Sequence, residues 1–206
     1  LEIAVRFLAL GDSYTIGEGV AETERWPAQL ARRLRDRGVD VDELTIIAQT
    51  GWTTAELATA VACEEPLGVY DLVSLLIGVN NQYRGLSQES YRQEFVALLE
   101  QAIACAGGDS NRVIVLSIPD WGVTPFAAEQ NRPANVVAAE IEDFNVINRE
   151  EAARHGVHYV DVTATSRQAS HDLSWLAADG LHPSAKMYTK WAELALAPAR
   201  RALNGD

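Results

Sequence analysis

Two hydrophobic rhythms alternate along the chain. Short apolar runs, each long enough for one strand, are Arg6–Leu10, Leu44–Ala48, Leu72–Ile77, Val113–Ile118 and Val157–Val162. Between them lie longer segments in which apolar residues recur every three or four positions. Trp26, Leu30 and Leu34 do so among the arginines of a helix from Trp26 to Arg37, with Pro27 in its first turn and Gly38 after its end. Thr54–Ala62 reads as a short helix, and Gln88–Ala106 as a longer one with Tyr91, Phe95, Leu98, Leu99, Ala102 and Ile103 on one face. Ala134–His155 turns Val137, Ile141 and Phe144 inward and stops at Gly156. Pro183 and Ser184 open a last helix in which Met187, Trp191, Leu194 and Ala195 share a face and which Pro198 ends or kinks.

Strands that alternate with helices predict a parallel sheet covered on both faces, a three-layer α/β/α sandwich with five parallel strands. No linker, repeat or low-complexity segment interrupts the series, so residues 1–206 are read as one domain. Open sheets of this kind bind ligands outside the carboxyl ends of their strands. That rule directs attention to the loops beginning at Gly11, Gln49, Gly78, Pro119 and Thr163.

Charge and composition narrow the choice of partner. A net charge of −12 repels phosphate backbones and anionic membrane surfaces, which argues against nucleic acid. The basic stretch Arg32–Arg37 reads as a solvated helix face. Apolar stretches are strand-length and bounded by charges, and Leu1–Arg6 leads directly into a strand, so neither a signal peptide nor integral membrane association is expected. A cytoplasmic location follows, with secretion after removal of a leader left open. Cys63 and Cys105 lie far apart and outside any Cys-x-x-Cys or Cys/His pattern, which predicts two buried thiols, leaves a single disulfide open and disfavours zinc. No metal or other cofactor is expected.

The first loop presents Ser13 at a strand end, behind Gly11 and ahead of Gly17 and Gly19. A turn there exposes a nucleophilic hydroxyl and offers backbone N–H groups to an oxyanion. Read alone, Gly11-Asp12-Ser13 is equally a capped turn. The last loop places Asp179 three residues ahead of His182, so one carboxylate can hold one ring nitrogen while the other faces a serine; an isolated Asp-x-x-His is more often a cap or surface turn. Gly51 and Asn80 follow the second and third strands. A glycine N–H and a side-chain amide are suitable oxyanion donors, although each alone also reads as a turn residue. Their joint placement on one sheet edge is the argument.

Together these residues resemble the SGNH or GDSL hydrolases, with Ser13, Gly51, Asn80 and His182 in the positions of the four marker residues. The blocks occur in the family's order and spread over nearly the whole chain. The resemblance implies a flavodoxin-like sheet (the SGNH hydrolase fold), metal-free hydrolysis of esters or thioesters, an oxyanion hole from the Ser13 N–H, the Gly51 N–H and the Asn80 amide, and Asp179 as third member of a Ser13–His182–Asp179 triad. Tyr14 stands where the family name has leucine, and Gly78-Val79-Asn80-Asn81 replaces Gly-x-Asn-Asp. Neither departure touches a marker residue.

The function expected is therefore a serine esterase acting on a small-molecule, short-chain carboxylic ester through an acyl-enzyme. Carbohydrate O-acetyl esterase, lysophospholipase and thioesterase activities are the alternatives within the resemblance. A non-catalytic binding protein on the same scaffold would be expected to lose a reactive group. A nucleotide-binding protein lacks support, because the first loop carries neither Gly-x-Gly-x-x-Gly nor a P-loop lysine. Trp52, Trp121 and Trp175 lie in loops at the predicted active edge, where stacking on substrate and packing beneath the loops are equally open readings. His155, His158 and His171 have no comparable partners in sequence, and no catalytic or ligand role is assigned to them.

Overall fold

The computed structural model describes residues 4–64 and 68–204. Five parallel strands, β1 (Val5–Gly11), β2 (Val41–Ala48), β3 (Leu72–Leu76), β4 (Val113–Leu116) and β5 (His158–Val160), lie in the order β2-β1-β3-β4-β5. The expectation that Leu1–Ile3 leads straight into the first strand falls outside the described residues. Nine α-helices connect and flank the strands: α1 (Ser13–Ile16), α2 (Trp26–Arg35), α3 (Thr54–Cys63), α4 (Val79–Tyr83), α5 (Gln88–Cys105), α6 (Pro125–Glu129), α7 (Ala134–His155), α8 (Thr163–Ser166) and α9 (Ala185–Asn204), counted among the described residues. Helices α2 and α9 pack together on one face of the sheet, and α3, α5 and α7 form the opposite layer. The order is the flavodoxin-like one, and it reverses direction between β1 and β3. A crevice therefore opens at the carboxyl ends of those two strands.

The apolar runs become strands because both faces of the sheet are covered. Phe7–Leu10, Leu72–Leu76 and Val113–Leu116 are all buried, whereas Leu44 and Ile46 of the edge strand β2 are only partly so. Each fully buried Leu, Val or Phe contributes roughly 1.5–3 kcal/mol relative to exposure. The helical stripes on α5 and α7 point inward as their spacing predicts.

Several boundaries differ from the sequence reading, each for a local reason. The fifth strand stops at Val160 because the Ser117 hydroxyl accepts the Val162 and Thr163 N–H groups (2.8 and 3.1 Å), turning the chain into α8. Beyond β4, the Asn145 side chain takes over the pairing of Ile118, accepting its N–H at 2.7 Å and donating to its carbonyl at 3.0 Å. Pro198 does not end α9, which runs on to Asn204. The carbonyl deprived of its donor belongs to Leu194, which is exposed, while Pro198, Ala199 and Ala202 continue the buried stripe. Leu194 itself lies just outside that stripe, so it does not share the face of Met187, Trp191 and Ala195. Cys63 is exposed and Cys105 half-buried, correcting the expectation of two buried thiols; no disulfide joins them. Among the described residues no helix is long and apolar enough to cross a membrane.

Candidate active site

The first loop is forced into a tight bend. A side chain at Gly11 would bring a Cβ within 2.6 Å of the Leu76 carbonyl of the neighbouring strand. Asp12 then caps α1, its Oδ1 accepting the Tyr14 N–H at 3.0 Å, so Ser13 begins a single helical turn closed by Gly17 at φ 74°. Ser13 is buried at the mouth of the switch-point crevice. Burial pushes the Asp12 carboxyl up to about 7 despite the Tyr14 N–H bond, and its Oδ2 has no protein partner.

The second and third loops are tied to each other. Gly51 occupies the third position of a turn closed by Trp52 N–H to Gln49 carbonyl (3.2 Å), at φ 88°, where a glycine adopts the left-handed region without strain. The Asn80 amide donates to the Trp52 carbonyl at 2.8 Å, which uses one of its two N–H bonds and fixes the direction of the other. Arg84, one turn further along the chain, donates through Nη2 to the Gly51 carbonyl at 2.6 Å and pairs through Nη1 with Glu56 at 3.4 Å. Glu56 in turn accepts the Thr53 N–H at the start of α3. Asn81 completes the connection: its Oδ1 accepts the Thr54 N–H at 3.1 Å and its Nδ2 donates to the Thr54 hydroxyl at 2.7 Å.

The last loop folds around Asp179. Its Oδ1 accepts the Leu181 and His182 N–H groups, both at 2.9 Å, and its Oδ2 stands 2.6 Å from His182 Nδ1. Burial opposes ionisation of Asp179, yet the hydrogen bonds from the imidazole and the two N–H groups outweigh it and hold the carboxyl below its usual value. The Tyr14 ring and the His182 imidazole meet edge to face with centroids 5.8 Å apart, and Tyr14 also packs on Trp191. The residue in the family's leucine position thus forms the back support of the imidazole.

These loops converge. Ser13, Gly51, Asn80 and His182 all line one cavity of about 190 Å³. Ser13 and His182 share it without a direct hydrogen bond among the described residues. Its opposite wall is aromatic: Tyr83, Trp121 and Phe126 pack edge-on or tilted with centroids 5.5 to 6.3 Å apart, joined by Val79 and Leu181. Of the three loop tryptophans, only Trp121 lines the cavity. Trp52 packs half-buried against the core, and Trp175 lies under Lys186 Nζ, 4.5 Å from its ring centroid. Tyr83 and Phe126 escaped the sequence reading because they sit on α4 and α6, five-residue helices too short to show a periodicity. His155 bonds the Glu151 carbonyl at 2.9 Å, His158 lies on β5, His171 is exposed, and none of the three lines the cavity. Among the described residues no group of three or more His, Cys, Asp or Glu side chains is arranged to hold a metal ion.

Comparison with known proteins agrees with this architecture. The fold is similar to that of TesA (22% identity, TM-score 0.75, covering 96% of this chain and 99% of that one). It is also similar to a lipase/acylhydrolase from Enterococcus faecalis (20% identity, TM-score 0.73, 96% and 95%). A variant of an acetyl xylan esterase from Geobacillus stearothermophilus aligns over 97% of both chains at 17% identity and a TM-score of 0.73. No curated protein sequence matches the chain. Residues 9–190 match the model of the GDSL-like lipase/acylhydrolase family, and the chain belongs to that family.

Proposed function

We propose that the protein is a serine esterase that hydrolyses short-chain carboxylic esters of small molecules through an acyl-enzyme, without a metal or cofactor. The observation that carries this reading is the 2.6 Å contact between His182 Nδ1 and Asp179 Oδ2 beside a cavity that Ser13, Gly51 and Asn80 also line. With Nδ1 held by the carboxylate, the tautomer bears its proton there and Nε2 is the basic nitrogen. His182 takes the Ser13 proton as Oγ attacks the ester carbonyl carbon. The tetrahedral oxyanion is held by the Ser13 and Gly51 N–H groups and the Asn80 amide. Collapse breaks the bond to the alcohol, which leaves with the proton from His182. Water, deprotonated by the same nitrogen, then attacks the acyl-Ser13 carbonyl, and the carboxylic acid leaves as His182 returns that proton to the Ser13 oxygen. Asp179 orients the imidazole and stabilises its charged form. The Ser13–His182 hydrogen bond forms as substrate closes the site, as is common in catalytic pairs that are loose in the free enzyme.

A cavity of about 190 Å³ limits the acyl group, since pockets for drug-sized ligands start near 300 Å³. Acetyl to about butyryl fits, with Trp121, Tyr83 and Phe126 supplying apolar contact. The test is kcat/KM along p-nitrophenyl esters from acetate to decanoate. A maximum at two to four carbons supports the reading, and a steady rise towards decanoate contradicts it.

A further inference from the structure

The sheet does not set the distance between the Ser13 and Gly51 N–H groups. The ladder between β1 and β2 ends where Gly11 faces Ala48, and both chains leave it before they reach Ser13 and Gly51. Beyond that point Arg84 and Asn80 tie the Gly51 turn to α4, but neither bond reaches the nucleophile loop.

A side chain crosses the gap. Glu18 follows Gly17, whose left-handed backbone ends α1, and the Glu18 N–H returns to the Ser13 carbonyl at 3.1 Å. Its carboxylate reaches the second loop: Oε2 accepts the Thr50 hydroxyl at 2.6 Å. Thr50 directly precedes Gly51 and lines the catalytic cavity. A hydroxyl that donates to a carboxylate over so short a distance makes one of the stronger hydrogen bonds available to a side chain. Two hydrogen bonds through Glu18 therefore connect the nucleophile to the residue ahead of the glycine donor.

The same segment is braced on its other side. At Gly19 φ is 82°, and a Cβ there would lie 2.8 Å from the Ala177 Cβ and 3.6 Å from Asp179 Oδ2. The strap Gly17–Gly19 thus rests against the loop that carries Asp179 while its middle residue reaches the loop that carries Gly51. Glu18 and Thr50 are both exposed, so neither fills the core, and exchanging them should leave the fold intact.

We propose that Glu18 is a positioning residue: by holding Thr50 it fixes the Gly51 N–H relative to the Ser13 N–H, so that both meet one oxygen when the tetrahedral oxyanion forms. The proposal rests on the esterase reading above and adds to it the residue that joins the nucleophile loop to a second donor. The oxyanion charge develops only in the transition state, so the bridge acts on kcat and not on ester binding. Removing a donor outright costs about 10²–10³ in kcat, and a donor left in place but untethered should cost less, about tenfold.

The test is a double-mutant cycle on p-nitrophenyl acetate with Glu18→Ala, Thr50→Val and the two combined, beside Glu18→Gln. Each of the first two should lower kcat about tenfold with KM within about twofold of wild type. The combined variant should fall no further than the weaker single variant, because both substitutions remove the same bond. Glu18→Gln, whose amide oxygen still accepts the hydroxyl, should keep at least about half of kcat. Inhibition by trifluoroacetone should weaken by the same factors: Ser13 Oγ adds to its carbonyl carbon, the Ser13 proton passes to His182, and the carbonyl electron pair becomes an oxyanion in the hole. A readout without turnover is the Trp52 N–H, which closes the Gly51 turn on the Gln49 carbonyl at 3.2 Å. It should exchange with solvent faster in Glu18→Ala and Thr50→Val, and at the wild-type rate in Glu18→Gln.

Losses that multiply in the combined variant, a change confined to KM, or a Glu18→Gln protein as impaired as Glu18→Ala would overturn the bridge and leave an active wild type as an esterase. Unchanged Trp52 exchange in Glu18→Ala overturns it whatever the kinetics. A wild type that hydrolyses no ester and binds no trifluoroacetone would overturn the esterase reading and the catalytic part of Glu18 with it, and faster Trp52 exchange would then mark a structural tie alone.

Discussion

Arg84 Nη2 lies 2.6 Å from the carbonyl oxygen of Gly51, so the residue four positions beyond Asn80 clamps the turn that carries a second proposed oxyanion donor. The Asn80 amide clamps the next peptide through the Trp52 carbonyl. Two of the three proposed donors are thus registered to each other by α4. Replacing Arg84 with Met should leave the fold intact, because the side chain is nearly half exposed, yet lower kcat by roughly 10-fold to 10²-fold by displacing the Gly51 N–H. Steady-state kinetics on p-nitrophenyl acetate should show the loss in kcat with little change in KM, and Arg84→Lys should recover part of it. A change confined to KM would instead place Arg84 in substrate binding.

The departure at Asn81 has a structural reading that can be tested by stability. The Thr54 hydroxyl donates to Glu94, so it can only accept from residue 81, and the Asn81 Nδ2 meets that need while Oδ1 takes the Thr54 N–H. A carboxylate in this buried position would face the hydroxyl oxygen with no proton to give. Asn81→Asp should therefore destabilise the protein by about 1–3 kcal/mol, the cost of a buried polar group left unsatisfied. Urea unfolding measures it, and a variant as stable as wild type would mean that Glu94 or Thr54 re-pairs.

Asp12 predicts a pH dependence. Its carboxyl is moved by burial from 3.8 to about 7 in the folded protein. Below about pH 4 it is neutral in both folded and unfolded chains. Between there and about pH 7 the unfolded chain ionises and the folded one does not, so stability falls as pH rises, by on the order of 4 kcal/mol in all. Asp12→Asn keeps an oxygen for the Tyr14 N–H and removes the titration. The difference in stability between variant and wild type should therefore move in the variant's favour from pH 4 to 7. A difference that stays constant across that range would show that Asp12 is ionised in the folded protein.

Much of this site was legible before any coordinates because each block sits at the end of an apolar run. Gly11-Asp12-Ser13 follows β1 and Asn80 follows β3, and a parallel sheet sends both ends to the same edge. Asp179 and His182 are close in sequence and meet within one turn. The walls of the cavity were not legible in the same way. Tyr83 and Phe126 reach it from helices of five residues, where neither period can be counted. Trp52 shows the converse: adjacent to Gly51 in sequence, it packs on the core because successive side chains in a turn diverge, and only its backbone carbonyl serves the site. Pro198 would end an isolated helix, but α9 continues through it because the buried stripe beyond it packs on the sheet.

The central claim is that Ser13 is the nucleophile, and the most direct measurement is covalent capture. The Ser13 oxygen should attack the phosphorus of a fluorophosphonate, expel fluoride to solvent and abolish esterase activity at one adduct per chain. Peptide mass spectrometry should place that adduct on Ser13, and a folded Ser13→Ala protein should take up none and retain about 10⁻⁶ of wild-type turnover. An adduct on another residue, or a Ser13→Ala protein that keeps more than about a hundredth of wild-type turnover, well above what triad knockouts leave, would contradict the account.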